Sequence, residues 1–261
     1  MAKSALFIIL LLVRVQCAAG ALADLSDGFC RSYKFGTSVA NDILYLIDLD
    51  GGLIPGDGDA STDAVSKDNY LVQLDLTQEF YVNNGSHYKM SLVPSNIPKL
   101  KDQALWSSQD NATLFAYGGR GIRNTSSDNG IWTYKPQTRS WSLQQTGIIA
   151  VRRLGGAYVN APAIQSAFWL GGYQSSDTTE TITDESLHYL DKMIKLNTTT
   201  GQVTEVSALS NPVQQGALVY IPVGELGILV FMGGEVPSDK TGVDLTYTPV
   251  TPHEPMGKNT F

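Results

Sequence analysis

The chain has 261 residues, 43% of them hydrophobic, with a formal net charge of −7 and a pI near 4.9. That is enough apolar sequence for one large core or two small ones, and no basic stripe is present to displace counterions from phosphates, which excludes nucleic-acid binding. With two cysteines, Cys17 and Cys30, disulfides do not hold the fold.

The N-terminus reads as a signal peptide over residues 1–23. Lys3 precedes the apolar run from Ala5 to Val13, and small residues follow it that allow cleavage after Ala19, Ala21 or Ala23. Arg14 cuts that run well short of the roughly 20 apolar residues of a transmembrane helix, and the C-terminal sequence has no hydrophobic tail for a lipid anchor. The expectation is a secreted, soluble chain without a membrane anchor. Cys17 leaves with the signal peptide, and Cys30 reads as a small apolar residue near the first strand. Sequons at Asn84, Asn111, Asn124 and Asn197 are glycan acceptors in a translocated chain.

Further along, a short apolar, aromatic-rich run ending in a glycine pair recurs four times. The pairs are Gly51-Gly52, Gly118-Gly119, Gly171-Gly172 and Gly233-Gly234, spaced by 67, 53 and 62 residues. Each run has the length and side chains of a buried strand, and the glycines break it where the backbone turns or packs closely. Upstream of the last three pairs stands a second apolar run, holding Ala104, Ala157 or Ala217 at 14, 14 and 16 residues from the first glycine. This predicts two antiparallel strands repeated in register. Downstream, a third strand ends on a turn residue, Asp75, Lys135 or Asn197, followed six residues later by Tyr81, Trp141 or Val203. That frame is a hairpin to a fourth strand, and short strands in such units are propeller blades.

A glycine pair after a hydrophobic strand, then an aromatic-bearing third strand and a tryptophan, resembles the kelch repeat, in particular that of secreted kelch proteins of filamentous fungi. The match spans residues 35–236, and Trp141 alone keeps the family tryptophan. The resemblance implies an all-β, kelch-type β-propeller. The blades occupy residues 24–236, as three full repeats and the first two strands of a fourth, and residues 237–261 read as an irregular Pro-rich tail. Propellers close with about 4 to 8 blades, so the sequence predicts an incomplete ring. It belongs either to a truncated chain or to a ring completed by a second copy, with self-association through the open blade edge.

The kelch architecture is shared with galactose-oxidase-like enzymes, whose sites resemble a copper held by two histidines and two tyrosines, one crosslinked to a cysteine. His87, His188 and His253 each stand alone in polar sequence, and none falls on such a ligand position. Asp48, Asp50, Asp57 and Asp59, interleaved with glycines, resemble a calcium loop but lack its D-x-D-x-D-G spacing and closing glutamate. No nucleophile elbow, His-Glu-x-x-His or Cys-x-x-Cys pattern occurs. The expectation is no catalytic residue, no cofactor and no metal. What remains are loop residues at the blade mouths, Arg120, Arg123, Arg152 and Arg153 with Tyr173 and Trp106, of the kinds that anchor interfaces. Ion pairing of Arg152 and Arg153 along a blade edge is the competing reading. The function this supports is a non-catalytic interaction scaffold for a protein or a small secreted ligand. Its rivals are an accessory role in oxidative tailoring of a fungal secondary metabolite and a degenerate copper oxidase.

Overall fold

The computed structural model describes residues 35–47, 70–80, 87–98, 100–121, 130–146, 152–179, 182–183, 187–237 and 247–249. The segment read as a signal peptide, Cys17, Cys30, Gly51, Gly52, Tyr81, Asn84, Arg123, Asn124 and His253 lie outside them.

The described residues form antiparallel strands joined by turns. Blade I is β1 (Gly36–Ala40), β2 (Ile43–Ile47), β3 (Tyr70–Asp75) and β4 (Tyr88–Leu92), hydrogen-bonded in that order. Blade II repeats it with β5 (Leu100–Ser107), β6 (Leu114–Gly121), β7 (Ile131–Lys135) and β8 (Ser140–Gln144). In blade III, β9 (Ala157–Ala161) and β10 (Ser166–Leu170) are followed by a small ladder of β11 (Tyr173–Gln174) and β12 (His188–Tyr189), and then by β13 (Lys192–Asn197) and β14 (Val203–Ser207). Blade IV contributes β15 (Ala217–Ile221) and β16 (Ile228–Met232), then β17 (Glu235–Pro237) paired with β18 (Tyr247–Pro249). The first strands of successive blades, β1, β5, β9 and β15, neighbour one another in chain order, so the blades fan into an arc that is not closed into a ring.

The local sequence explains these strands. Their residues are β-branched or aromatic, and each alternates between the two faces of its blade, so each blade presents one apolar face to the blade before it and one to the blade after. Tyr45 and Ile47 of blade I meet Leu114 and Ala116 of blade II. Phe115 and Tyr117 of blade II meet Ala167 and Trp169 of blade III, and Phe168 and Leu170 of blade III meet Leu218 of blade IV. Each of these leucine, isoleucine and phenylalanine side chains, when buried, stabilises by about 1.5–3 kcal/mol before entropy is subtracted. The β1–β2 loop is Asn41-Asp42, with φ of 52° and 59°, the left-handed pair that a two-residue hairpin requires.

The predicted register holds in blades II, III and IV. Ala104 faces Tyr117, Ala157 faces Leu170 and Ala217 faces Met232, each directly before its glycine pair. In blade I the described ladder ends with Ile47 opposite Gly36, and Gly51-Gly52 lies outside the described residues. The third strands end on Asp75, Lys135 and Asn197, as the turn frame requires. Trp141 faces Tyr134 and Val203 faces Leu196, but the residue opposite Leu74 is Tyr88. Tyr88, not Tyr81, takes the fourth-strand place, because the β3–β4 connection is longer than the six-residue frame allows. The Pro-rich segment also departs from expectation, since Tyr247–Pro249 is a strand on β17 where an irregular tail was read.

Candidate interaction surface

Antiparallel topology sorts the connections onto the two ends of the blades. The β1–β2, β5–β6, β9–β10 and β15–β16 turns lie at one end. The glycine pairs, the connections from second to third strands and the segments leading into each blade lie at the other. In blades II and III those connections are the longer ones, running from Gly121 to Ile131 and from Leu170 to Lys192, the latter carrying β11 and β12, whereas blade I places a long β3–β4 connection, from Asp75 to Tyr88, at the first end.

At that end the glycine pair has a defined mechanical role. Gly119 N–H donates to the carbonyl of Arg153 at 2.9 Å, and Gly172 N–H donates to that of Val213 at 2.7 Å. Arg153 and Val213 stand at the same place in their units, four residues before Ala157 and Ala217. The second glycine of a blade thus ties it to the segment entering the next one. Each entering segment also bridges its own blade: Leu154 and Tyr173 exchange two hydrogen bonds of 2.9 Å, as do Gln214 and Glu235.

This arrangement corrects the reading of the arginines as loop residues open to a partner. Arg152 and Arg153 are 2% and 4% exposed. The Arg153 guanidinium donates to the Lys192 carbonyl at 3.0 Å and to Glu205 Oε2 at 2.5 Å. Lys192 Nζ reaches Glu205 Oε1 at 2.7 Å, so one carboxylate serves two cations. Burial pushes the Glu205 pKa up, but the Lys192 hydrogen bond and the Arg153 charge outweigh it and hold the carboxyl below its usual range. Arg153 also bonds Tyr117 of blade II. Its chemistry is that of a staple: it fixes β13 and β14 to the blade II contact. Buried charge survives only where it is paired and hydrogen-bonded in this way.

Burial pushes the Tyr117 hydroxyl up to about 12, against a smaller lowering by Arg153. A phenol with a raised folded pKa contributes stability below its unfolded value near 10, and that contribution is lost as pH rises through the folded value. Alkaline titration should therefore show no Tyr117 phenolate absorbance until the fold gives way, with on the order of 2–3 kcal/mol of stability lost between about pH 10 and 12. In Tyr117→Phe that alkaline loss should shrink, and an unchanged profile would refute the assignment.

Trp106 is also buried, stacked on Tyr117 at 5.7 Å, so it belongs to the core. Tyr173 is half-buried and edge-on to Tyr189 at 6.1 Å. Of the arginines, Arg120 is half-exposed, opposite Lys101 at the end of the β5–β6 ladder. His188 is exposed on β12 of blade III, while His87 precedes β4 of blade I. Among the described residues, no three or more His, Cys, Asp or Glu side chains come together as a metal-binding group. Asn111 lies in the β5–β6 turn and Asn197 at the end of β13, both at the end opposite the long connections. The Asn197 side-chain carbonyl accepts the Thr199 and Thr200 amides at 2.9 Å each, shaping the β13–β14 turn.

No protein-family model matches the chain. It is 23% identical to a kelch repeat-containing protein of Arthroderma benhamiae, over an alignment of 266 residues covering 84% of the chain. The chain spans 37% of that protein's length. With the repeated four-stranded sheets, this similarity supports a kelch-type, β-propeller-like chain.

Proposed function

We propose that the chain is a secreted, N-glycosylated kelch-type scaffold that binds its partner through the long second-to-third-strand connections and carries no catalytic centre of its own. The observation that carries this is the segregation of the two ends. Apart from the β3–β4 connection of blade I, short turns, with Asn111 and Asn197, occupy one end, while in blades II and III the other gathers the longer connections over a rigid base of glycine-pair hydrogen bonds. Variable loops on a fixed frame are the usual architecture of recognition. Glycans at Asn111 and Asn197 leave the recognition end clear.

Expression through a secretory pathway tests the proposal. The protein is expected in the medium with glycan mass that Asn111→Gln and Asn197→Gln each reduce. Exposed to copper, it should retain no stoichiometric metal and generate no hydrogen peroxide from primary alcohols. Retention inside the cell would overturn secretion, and peroxide formation would overturn the non-catalytic assignment.

A further inference from the structure

Where the first strands meet, one contact passes over a whole blade. Among the described residues each first strand is the edge of its sheet: β1, β5 and β9 pair with β2, β6 and β10 on one side only. An edge strand turns alternate amides away from its partner, and those amides need another acceptor. β1 comes against β5 because residue 36 is glycine. A Cβ there would meet the Gln103 carbonyl at 2.6 Å and the Leu105 amide nitrogen at 3.2 Å. Tyr158 directly follows Ala157 on β9, and its half-buried ring stacks on Trp169 at 5.8 Å with an interplanar angle of 14°. Trp169 is 1% exposed, so the Tyr158 ring is held in place from within blade III. From there the Tyr158 hydroxyl accepts a hydrogen bond from the amide of Thr37 in β1. Tyr158 and Thr37 belong to blades III and I, with all of blade II between them in the chain.

We infer that Tyr158 is a strap that ties blade III to blade I past the first strand of blade II, and so fixes the angle at which the three blades fan. The apolar layers between blades I and II and between blades II and III each link one blade to the next. Small rotations at such pairwise junctions add up along the arc. The Tyr158–Thr37 bond skips a junction, so a rotation at either interface has to break it. Packing of the repeat does not call for a hydroxyl at this place. The residues that follow the corresponding alanines in blades II and IV are Leu105 and Leu218, opposite Ala116 and Phe231. Tyrosine in blade III keeps the apolar ring and adds a polar tip that satisfies an edge amide of another blade. Burial pushes the Tyr158 hydroxyl above its ordinary range, against a lowering by the Thr37 amide, so the strap is a neutral phenol at neutral pH. The consequence reaches the end that carries the long connections of blades II and III, which keep a constant position relative to blade I only while the strap holds.

Residue-resolved hydrogen exchange on the purified chain tests the strap with Tyr158→Phe, which keeps the ring on Trp169 and removes only the hydroxyl. The Thr37 amide should exchange about tenfold or more faster, the size of one lost hydrogen bond, while the amides of β1 that pair with β2 keep their rates. Small-angle scattering on the same samples should show a larger radius of gyration, because the arc opens. The proposal fails if Thr37 is as protected in Tyr158→Phe as in the unaltered chain. It fails equally if exchange rises uniformly over the strands, as it would for a residue that only adds to the general stability of the core. Faster exchange at Thr37 with an unchanged radius would also overturn it, since the hydroxyl would then cap an edge amide without holding the angle between blades.

Discussion

Replacing Gly171 by alanine is expected to cost about 3 kcal/mol or more, while the same change at Gly233, the corresponding residue one blade on, costs about 1 kcal/mol. The backbone requirement is shared: φ is +61° at Gly171 and +67° at Gly233, so each alanine bears the left-handed penalty of about 1–2 kcal/mol. The surroundings differ. A Cβ at Gly171 meets the Val213 carbonyl and sits 2.9 Å from Val213 Cγ2, and that carbonyl also accepts the Gly172 amide. The clash thus falls on the hydrogen bond that joins blade III to blade IV. Gly118, with the Arg153 carbonyl and the Trp169 ring both at 3.0 Å, should lie between the two. Thermal denaturation checks the series, at roughly 2–4 °C per kcal/mol for a chain of this size. Equal costs at Gly171 and Gly233 would show that the motif answers to local backbone geometry alone.

What the sequence made legible was the period, because strands buried on both faces read as continuous apolar runs and turn residues punctuate them. Ala104, Ala157 and Ala217 gave the register of three hairpins, and Asp75, Lys135 and Asn197 gave the ends of three third strands. Blade I defeated the same reasoning once. Hydrophobicity records that a strand is buried but not which residue its hydrogen-bonding partner is, so Tyr81 matched the pattern while the ladder selected Tyr88. Arg152 and Arg153 read as exposed because adjacent charges usually are. What buries Arg153 is Glu205, 52 residues away on β14, which no local window contains. Tyr247–Pro249 has no strand pattern of its own, and it pairs with β17 directly after a glycine pair, as the β11–β12 ladder follows Gly171-Gly172. In the entering segments, φ is positive at Asp102, Gly155 and Gln215, a shared backbone kink two residues before each alanine that side-chain identity conceals.

The tryptophan that carries the kelch resemblance is not the one on which the fold most depends. Trp141 lies half-buried on the outer strand β8, tilted at 5.0 Å from Tyr134. Trp169 is 1% exposed at the junction of blades II and III, edge-on to Tyr117 at 5.5 Å and stacked on Tyr158 at 5.8 Å, with its indole N–H donating to the Gly171 carbonyl at 3.2 Å. Its ring also explains a small residue upstream, since a Cβ on Gly156 would overlap the indole. Trp169→Ala should therefore cost about 3–5 kcal/mol, the range for a fully buried aromatic whose site cannot collapse, because two blades frame the cavity. Trp141→Ala should cost about 1–2 kcal/mol, since solvent already reaches one side of the ring. Trp169→Phe keeps most of the volume and forfeits the bond to Gly171, about 1 kcal/mol. Denaturant unfolding of the three variants orders them, and a Trp141→Ala loss equal to that of Trp169→Ala would place the main support of the arc in the outer strands instead of between its blades.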